Sequence, residues 1–369
     1  MNDDTVRRIA INTGGGDAPG LNAVIRAAVL AAVGEGWECV GIADGYNGLL
    51  DPGRYENEGL VPLDRASVRG ITHIGGTILG TTNRGDPLAY PVRAPDGGWT
   101  VEDRSDELVA AFAQRGIDAL IAIGGDGSLA IANRLSEKGL KVVGVPKTID
   151  NDLEETSVTF GFDSAVAFAT ECIDRLHTTA ESHDRLMVVE VMGRYAGWIA
   201  LHAGLAGSAD AILIPEIPYD LASVVRKVRS REEAGRHFSI VVAAEGAHAR
   251  GEERSVVGTE IGQAVRLGGI GHRLAEQLAE QTGKETRCVV LGHLLRGGGP
   301  TTRDRILSLR FGAAAVRAVR EGSFGCMVAL DPPDVRYVPL RLVTQRMKKV
   351  PVDSDTVRTV RDLGISLGD

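Results

Sequence analysis

Pro146-Lys147-Thr148-Ile149-Asp150-Asn151-Asp152 sets two carboxylates two residues apart, beside a lysine and a threonine. That combination suits transfer of a phosphoryl group to a hydroxyl: one carboxylate accepts the hydroxyl proton while the other helps a metal or orients its neighbours. An exposed acidic turn is the plain alternative. In Gly124-Gly125-Asp126-Gly127-Ser128, two glycines let a polyphosphate approach the backbone, and Asp126 supplies a hard oxygen suited to Mg2+. Ser128 is expected to cap the helix that follows. An aspartate that only orders its own turn would leave the same trace. Gly14-Gly15-Gly16-Asp17-Ala18-Pro19-Gly20 can cradle phosphate on backbone N–H groups at a helix start. It matches neither GxxxxGK(S/T) nor GxGxxG, because Pro19 stands where the last glycine of the dinucleotide fingerprint falls. A P-loop or NAD site is therefore disfavoured, and a tight turn without ligand stays open. Arg185, Arg194, Arg287, His293 and Arg296 supply cations, and guanidinium suits bidentate recognition of phosphate. Glu245 lies among them and can hold sugar hydroxyls. Taken singly, each of these reads more readily as a surface or ion-pair residue than as a ligand contact.

The elements that must carry these groups follow a rhythm of strand, glycine turn and helix. Short apolar runs predict strands at Arg8–Asn12, Glu38–Ala43, Ala119–Ile123, Lys141–Val145, Leu186–Val191, Ala211–Ile214, Ser239–Ala244 and Cys288–Leu291. Helical periodicity predicts helices over Leu21–Val33, from Ser128 to Leu135, and over Phe162–Thr178, Ala196–Leu205, Leu221–Arg229, Gly258–Glu280 and Arg303–Arg320. Alternation of this kind means βαβ units, an α/β fold with mainly parallel sheets covered on both faces. Ligands of such sheets sit outside the carboxyl ends of the strands, so the polar clusters are expected to gather at one edge. Pro91–Ser105, rich in Pro, Gly and charge, reads as a surface insertion. From Arg336 the chain is basic and then acidic, with no clear period and no predicted element.

A length of 369 residues, at roughly 150 per domain, gives two domains or three. Basic residues number 41 against 49 acidic, a net charge of −8, which argues against gripping nucleic acid or an anionic membrane through the overall field. No stretch approaches the ~18 uninterrupted apolar residues of a membrane span, and Met1–Arg8 has no signal-peptide core. Cys39, Cys172, Cys288 and Cys326 are scattered singly, as expected of small core residues in a reducing cytoplasm. Glycine is the unusual residue. It occupies 47 positions, well above the average of ~7%, and it clusters at the ends of apolar runs, where backbone comes close to a ligand.

Six segments occur in the order seen in 6-phosphofructokinases: Gly15–Asn22, Gly75–Thr81, Gly124–Ser128, Pro146–Asp152, Met192–Tyr195 and Gly292–Gly298. From Ile9 to about Leu330 the chain resembles that family. The Pro91–Ser105 insertion and the tail resemble its mixed-substrate, long-chain branch, whose members use ATP or pyrophosphate. The resemblance implies two αβα domains with the active site in the cleft between them. Residues 1–160 with about 295–335 would bind the donor, and 161–294 with about 336–369 the sugar phosphate. It implies that Gly15, Gly125, Asp126, Gly127 and Ser128 contact the donor, with Asp126 on Mg2+. Asp150 would be the base for the 1-hydroxyl of fructose 6-phosphate, Thr148 and Asp152 would flank it, and Arg194 would steady the transferring group. Met192, Gly193, Arg194, Glu245, His293 and Arg296 would bind the sugar phosphate. Arg185 and Arg287 would reach the 6-phosphate from a neighbouring subunit, which implies a homo-oligomer, a dimer or a tetramer.

Two positions bear on the donor. Family members that use pyrophosphate usually carry aspartate where this chain has Gly127, and that carboxylate would fill the space of the α-phosphate of ATP. Lys147 resembles the pyrophosphate users, in which a lysine stabilises the leaving phosphate. A blocking residue is a steric veto, whereas an added cation is compatible with either donor, so ATP is expected and pyrophosphate is the alternative. An NAD or lipid kinase would explain the Gly124–Gly127 turn but not Pro146–Asp152 or Met192–Arg194. A non-catalytic sugar-phosphate sensor would be expected to lose Asp126, Asp150 or Asp152, and all three are present.

Overall fold

The computed structural model describes residues 6–94, 97–252, 256–258 and 266–369. In chain order the first strands are β1 (Arg8–Thr13), β2 (Glu38–Ile42), β3 (Leu60–Leu63), β4 (Tyr90–Arg93), β5 (Trp99–Glu102), β6 (Ala119–Gly124), β7 (Val142–Thr148) and β8 (Phe160–Gly161). The others are β9 (Leu186–Val191), β10 (Ala211–Leu213), β11 (Ser239–Ala244), β12 (Val256–Gly258), β13 (Arg266–Leu267), β14 (Thr286–Val290), β15 (Cys326–Asp331) and β16 (Asp334–Pro339). The helices are α1 (Leu21–Gly34), α2 (Asn47–Leu50), α3 (Ser105–Gln114), α4 (Asp126–Glu137), α5 (Phe162–Ser182) and α6 (Trp198–Ala206). They continue with α7 (Leu221–Glu233), α8 (Ile270–Thr282), α9 (Thr302–Arg320), α10 (Leu340–Val343) and α11 (Asp355–Asp362).

One sheet runs β16-β15-β7-β6-β1-β2-β3, with β8 on the end of β7, and a second runs β10-β11-β9-β14. The second sheet is parallel throughout; the first is parallel except for its β2–β3 and β15–β16 pairs at the edges. The central strands are buried on both faces, which is why they read as continuous apolar runs. Successive side chains point to opposite faces, so Ile9, Ile11, Ile121 and Ile123 join one core with α1 and α9. Ala10, Leu120 and Ala122 join the other, under α3, α4 and α10. Likewise Met187, Val189 and Val191 pack with α5 and α6, and Leu186 and Val188 with α7 and α8. Gly312 lets α9 lie on α1: a Cβ there would come 2.5 Å from the Val24 carbonyl oxygen.

Three expectations change. The strand expected to stop before Pro146 continues through it to Thr148, so Lys147 and Thr148 stand on a strand rather than in a loop. On the far side of β7, β15 pairs only at Val143 and Gly144 and β8 only at Lys147 and Thr148, so Pro146 falls where its missing N–H costs no ladder bond. The insertion is a two-stranded hairpin, β4 with β5; residues 95–96 of it lie outside the described residues. The helix expected over 258–280 begins at Ile270, with Gly258 in β12 and residues 259–265 outside the described residues. The stretch past Arg336 divides between the layers: β16 and α10 belong with the first sheet, while Val350, Val357 and Val360 pack into the second. All four cysteines are free, Cys39 and Cys326 being buried. No described helix is long and apolar enough to cross a membrane.

Asp304 joins α9 to α5: its Oδ2 accepts from the Ser164 amide at 2.8 Å and hydroxyl at 2.7 Å, while its buried Oδ1 has no partner. Burial, the main cause, pushes its pKa from 3.8 to about 6. A raised acid favours the fold while protonated, a contribution present below 3.8 and lost as pH rises through about 6. Asp304→Asn keeps an acceptor for Ser164 and removes the titration. Melting curves of the variant across this window are expected to lose that part of the pH dependence; an unchanged slope would assign it elsewhere.

Candidate active site

Parallel pairing brings the carboxyl ends of β1, β6 and β7 side by side, and with them the three turns read from sequence. Gly15 stands in the left-handed region at φ 77°, with the Lys147 ammonium and the Ser128 hydroxyl each 3.4 Å from where a Cβ would be. Its amide donates to the Thr82 carbonyl at 3.1 Å and its carbonyl accepts from the Thr81 hydroxyl at 2.6 Å. No spacing in the sequence points to Thr81, because its partner Gly15 lies 66 residues away. Lys147 is buried and donates to the Gly16 carbonyl. Burial first, and then the Arg296 cation, depress its pKa to about 8. Arg296 donates to the Asp17 carbonyl at 3.1 Å, so two cations brace the first turn.

Asp126 begins α4, exposed at the helix N-terminus with Gly127 beside it, and a Cβ on Gly127 would meet nothing within 4 Å. Gly125 occupies the cap position and no side chain caps this helix, which corrects the expectation for Ser128. Ser128 points back instead: its hydroxyl lies 2.7 Å from where Cβ atoms of Gly14 or Gly124 would be, so those glycines make room for it.

Asp150 follows β7, and its amide donates to the Thr148 hydroxyl at 3.1 Å. Its Oδ1, like that of Asp152, is buried without any hydrogen-bond partner. An unpaired buried acceptor is free to take a hydrogen bond from water or from a bound group. Burial raises the pKa of Asp150, Asp126 adds to this, and the Arg296, Arg194 and Lys147 cations oppose it. Burial and then the Asp150 and Asp126 charges carry Asp152 up to about 7. Glu245 also rises to about 7, through burial and then Asp150, with Arg194 and Arg296 pulling it back.

Asp126, Asp150, Asp152, Glu245, Arg194 and Arg296 thus act on one another electrostatically. The second sheet supplies its share through the register of β9 and β11, which sets Val191 beside Ala244. The turns after those strands then interlock. The Glu245 amide donates to the Val191 carbonyl at 2.9 Å and the Gly246 amide to the Gly193 carbonyl at 3.1 Å. Met192 is half-buried against the core, Gly193 holds φ 136°, and Arg194 carries a buried Nε without a partner. His293 and Arg296 lie on the short helical turn after β14, and His293 lines an open cleft of about 610 Å3 with Phe168, Leu294 and Gly298.

Arg185 and Arg287 are not brought there. Arg185 immediately precedes β9 and Arg287 is the second residue of β14, opposite Met187, so both lie at the amino end of the second sheet. Both pair with Glu285, at 2.8 and 2.5 Å. The expectation of a single edge fails for these two because closeness to a strand end in sequence does not say which end.

A family model described as Phosphofructokinase matches residues 8–319. The ATP-dependent 6-phosphofructokinase of Chloroflexus aurantiacus is 52% identical over 363 residues, 98% of each chain. The pyrophosphate–fructose 6-phosphate 1-phosphotransferase of Amycolatopsis mediterranei is 51% identical over 350 residues, 94% of this chain and 97% of that one. The crystal structure of Pichia pastoris phosphofructokinase in the T-state superposes with a TM-score of 0.78 at 30% identity, over 98% of this chain and 37% of that chain. A match over most of the length, two relatives near half identity and a shared fold agree with the convergence of the glycine turns on Asp150: the chain belongs to the phosphofructokinase family.

Proposed function

We propose that this chain is an ATP-dependent 6-phosphofructokinase, transferring the γ-phosphoryl group of ATP to the 1-hydroxyl of D-fructose 6-phosphate. The observation that carries this reading is the Asp150 carboxylate, its Oδ1 buried and unpartnered between the Asp126 turn and Arg194. Gly15 and Gly125–Ser128 hold the donor phosphates, and Met192–Arg194, Glu245, His293 and Arg296 hold the sugar phosphate. Ionised Asp150 takes the proton of the 1-hydroxyl, and Arg194 stabilises the charge spread over the transferring phosphoryl oxygens. Thr148 fixes the Asp150 backbone, and Asp152 adds negative charge beside it. Mg2+ fits this set. Asp126 offers an exposed carboxylate at the start of α4, and one or two carboxylates plus substrate phosphates are the usual ligands. When bound, the ion would neutralise charge between the donor phosphates.

Residues 1–160 with the returning segment would form the donor half and the second sheet the sugar half. Since Arg185 and Arg287 lie at the amino end of the second sheet, they serve as 6-phosphate ligands only if they reach a neighbouring copy's site, so we propose a homo-oligomer, a dimer or a tetramer, in the cytoplasm. Lys147 and the Amycolatopsis relative favour a second reading, a pyrophosphate-dependent phosphotransferase. Offering fructose 6-phosphate and Mg2+ with ATP in one reaction and pyrophosphate in another separates them; turnover with neither overturns both.

A base must be ionised to work, and the free site holds Asp152 and Glu245 near 7, with Asp150 raised as well. As pH falls through about 7 Asp152 and Glu245 take up protons, so kcat/KM for fructose 6-phosphate is expected to fall on the acid side and level off above. The limb belongs to the set of carboxyls rather than to one. A profile flat down to about pH 5 would contradict the environment assigned to Asp150.

A further inference from the structure

Residues 344–350, in the stretch without sequence period, cross from the core that holds Leu340 and Val343 to the core that holds Val350. On the way they bond to the turn that carries Asp150. The Lys348 amide donates to the Asp152 carbonyl at 2.9 Å, and Met347 pairs with Leu153 as a β-bridge. The Lys348 ammonium donates to the Asn151 Oδ1 at 3.2 Å and to the Thr156 and Ser157 carbonyls at 3.0 and 2.8 Å. Asn151 is buried at φ 52°, between the two carboxylates, and its Oδ1 also accepts from the Thr159 amide at 3.1 Å. One ammonium thus closes the Asn151–Ser157 loop from inside.

The same segment grips the second sheet. The Lys348 carbonyl accepts from the Trp198 indole at 3.1 Å, and the ammonium lies 5.5 Å from that ring. Two residues on, the Val350 amide donates to Glu216 at 2.8 Å, and Glu216 also accepts from the Gly197 amide at 3.1 Å. Gly197 and Trp198 follow the Met192–Tyr195 turn after the single residue Ala196. Residues 348–350 therefore tie the turn of the base to the turn that carries Arg194. The separation of these two turns sets how the acceptor hydroxyl meets Asp150, and a misplacement of about 1 Å in a transfer site can cost about 10²-fold in rate.

We propose that Lys348 is a positioning residue for the Asp150–Asp152 turn, acting through Asn151 and Trp198 to set that turn against the Met192–Tyr195 turn. This rests on the phosphotransfer reading of Asp150. Lys348→Met keeps the stem and the backbone bonds but removes the ammonium; Lys348→Arg keeps a cationic donor. Lys348→Met is expected to lower kcat at least about tenfold with the KM for ATP changed less than about twofold, because the donor turns make no bond to this segment. Hydrogen exchange in the peptide over 147–160 is expected to speed up, and Lys348→Arg to recover most of both properties. If Lys348→Met does not fold, Trp198→Phe removes the indole bond alone and is expected to show the same split, smaller in size. The proposal is overturned if the folded variant keeps wild-type kcat and exchange, or if kcat and ATP affinity fall together without recovery by arginine. Wild-type protein that turns over neither donor refutes the phosphotransfer reading alone, since exchange over 147–160 still reports whether Lys348 holds that turn.

Discussion

Asp150→Asn is expected to lower kcat by about 10²–10⁴-fold, the usual loss when a positioned general base is removed, while fructose 6-phosphate and nucleotide still bind. The substitution is nearly isosteric, and the backbone bond from residue 150 to the Thr148 hydroxyl does not involve the side chain. Stability should therefore hold. Asp150 is a cause of the raised pKa values of both Asp152 and Glu245, so removing its charge lowers them. The residual activity should consequently show its acid limb at lower pH than wild type. Steady-state kinetics across pH, with isothermal titration of fructose 6-phosphate, checks both parts. A kcat within about threefold of wild type would remove Asp150 from the role of base, and lost sugar binding would make it a binding residue instead.

Gly127→Asp should act almost wholly on the donor. The site of the new Cβ is open, residue 127 is exposed, and the first turn of α4 favours a carboxylate over a neutral residue. Folding should be unaffected. A carboxylate placed in the space of the nucleotide α-phosphate meets like charge at close range, an interaction of about 4 kcal/mol at 4 Å near a protein surface. Part of that is relieved by movement, so kcat/KM with ATP is expected to fall by about 10–10³-fold. Activity with pyrophosphate, which has no α-phosphate to displace, should not fall with it. ATP use within about threefold of wild type would mean that Gly127 does not gate the donor.

Near half identity, an ATP-dependent relative and a pyrophosphate-dependent one stand almost level, at 52% and 51%. Whole-chain likeness therefore leaves the donor open. On the proposed reading Gly127 and Lys147 have opposite implications, and only the first would act by exclusion. Lys147 is already engaged with the Gly16 carbonyl, so part of its role is to hold the donor turn in shape.

Legible in the amino-acid order alone were the α/β class, the strands Leu186–Val191 and Ser239–Ala244 to the residue, and the segments bearing Asp126, Asp150 and Arg194. These are local properties: apolar runs for strands buried on both faces, glycines where backbone must come close, and charged groups just after. Only the tertiary structure decided that β7 passes through Pro146, since that depends on which neighbours leave the proline unopposed. It alone showed that Ser128 fills the space left by two glycines instead of capping α4, and that Arg185 and Arg287 stand at the opposite end of their sheet from Arg194. Lys348 is the extreme case: it lies 197 positions from Asn151, in a stretch with no period, and three oxygens from that distant loop gather around its ammonium. Periodicity and spacing report what a residue does to its own segment, whereas contacts between segments arise only when packing brings distant chain together.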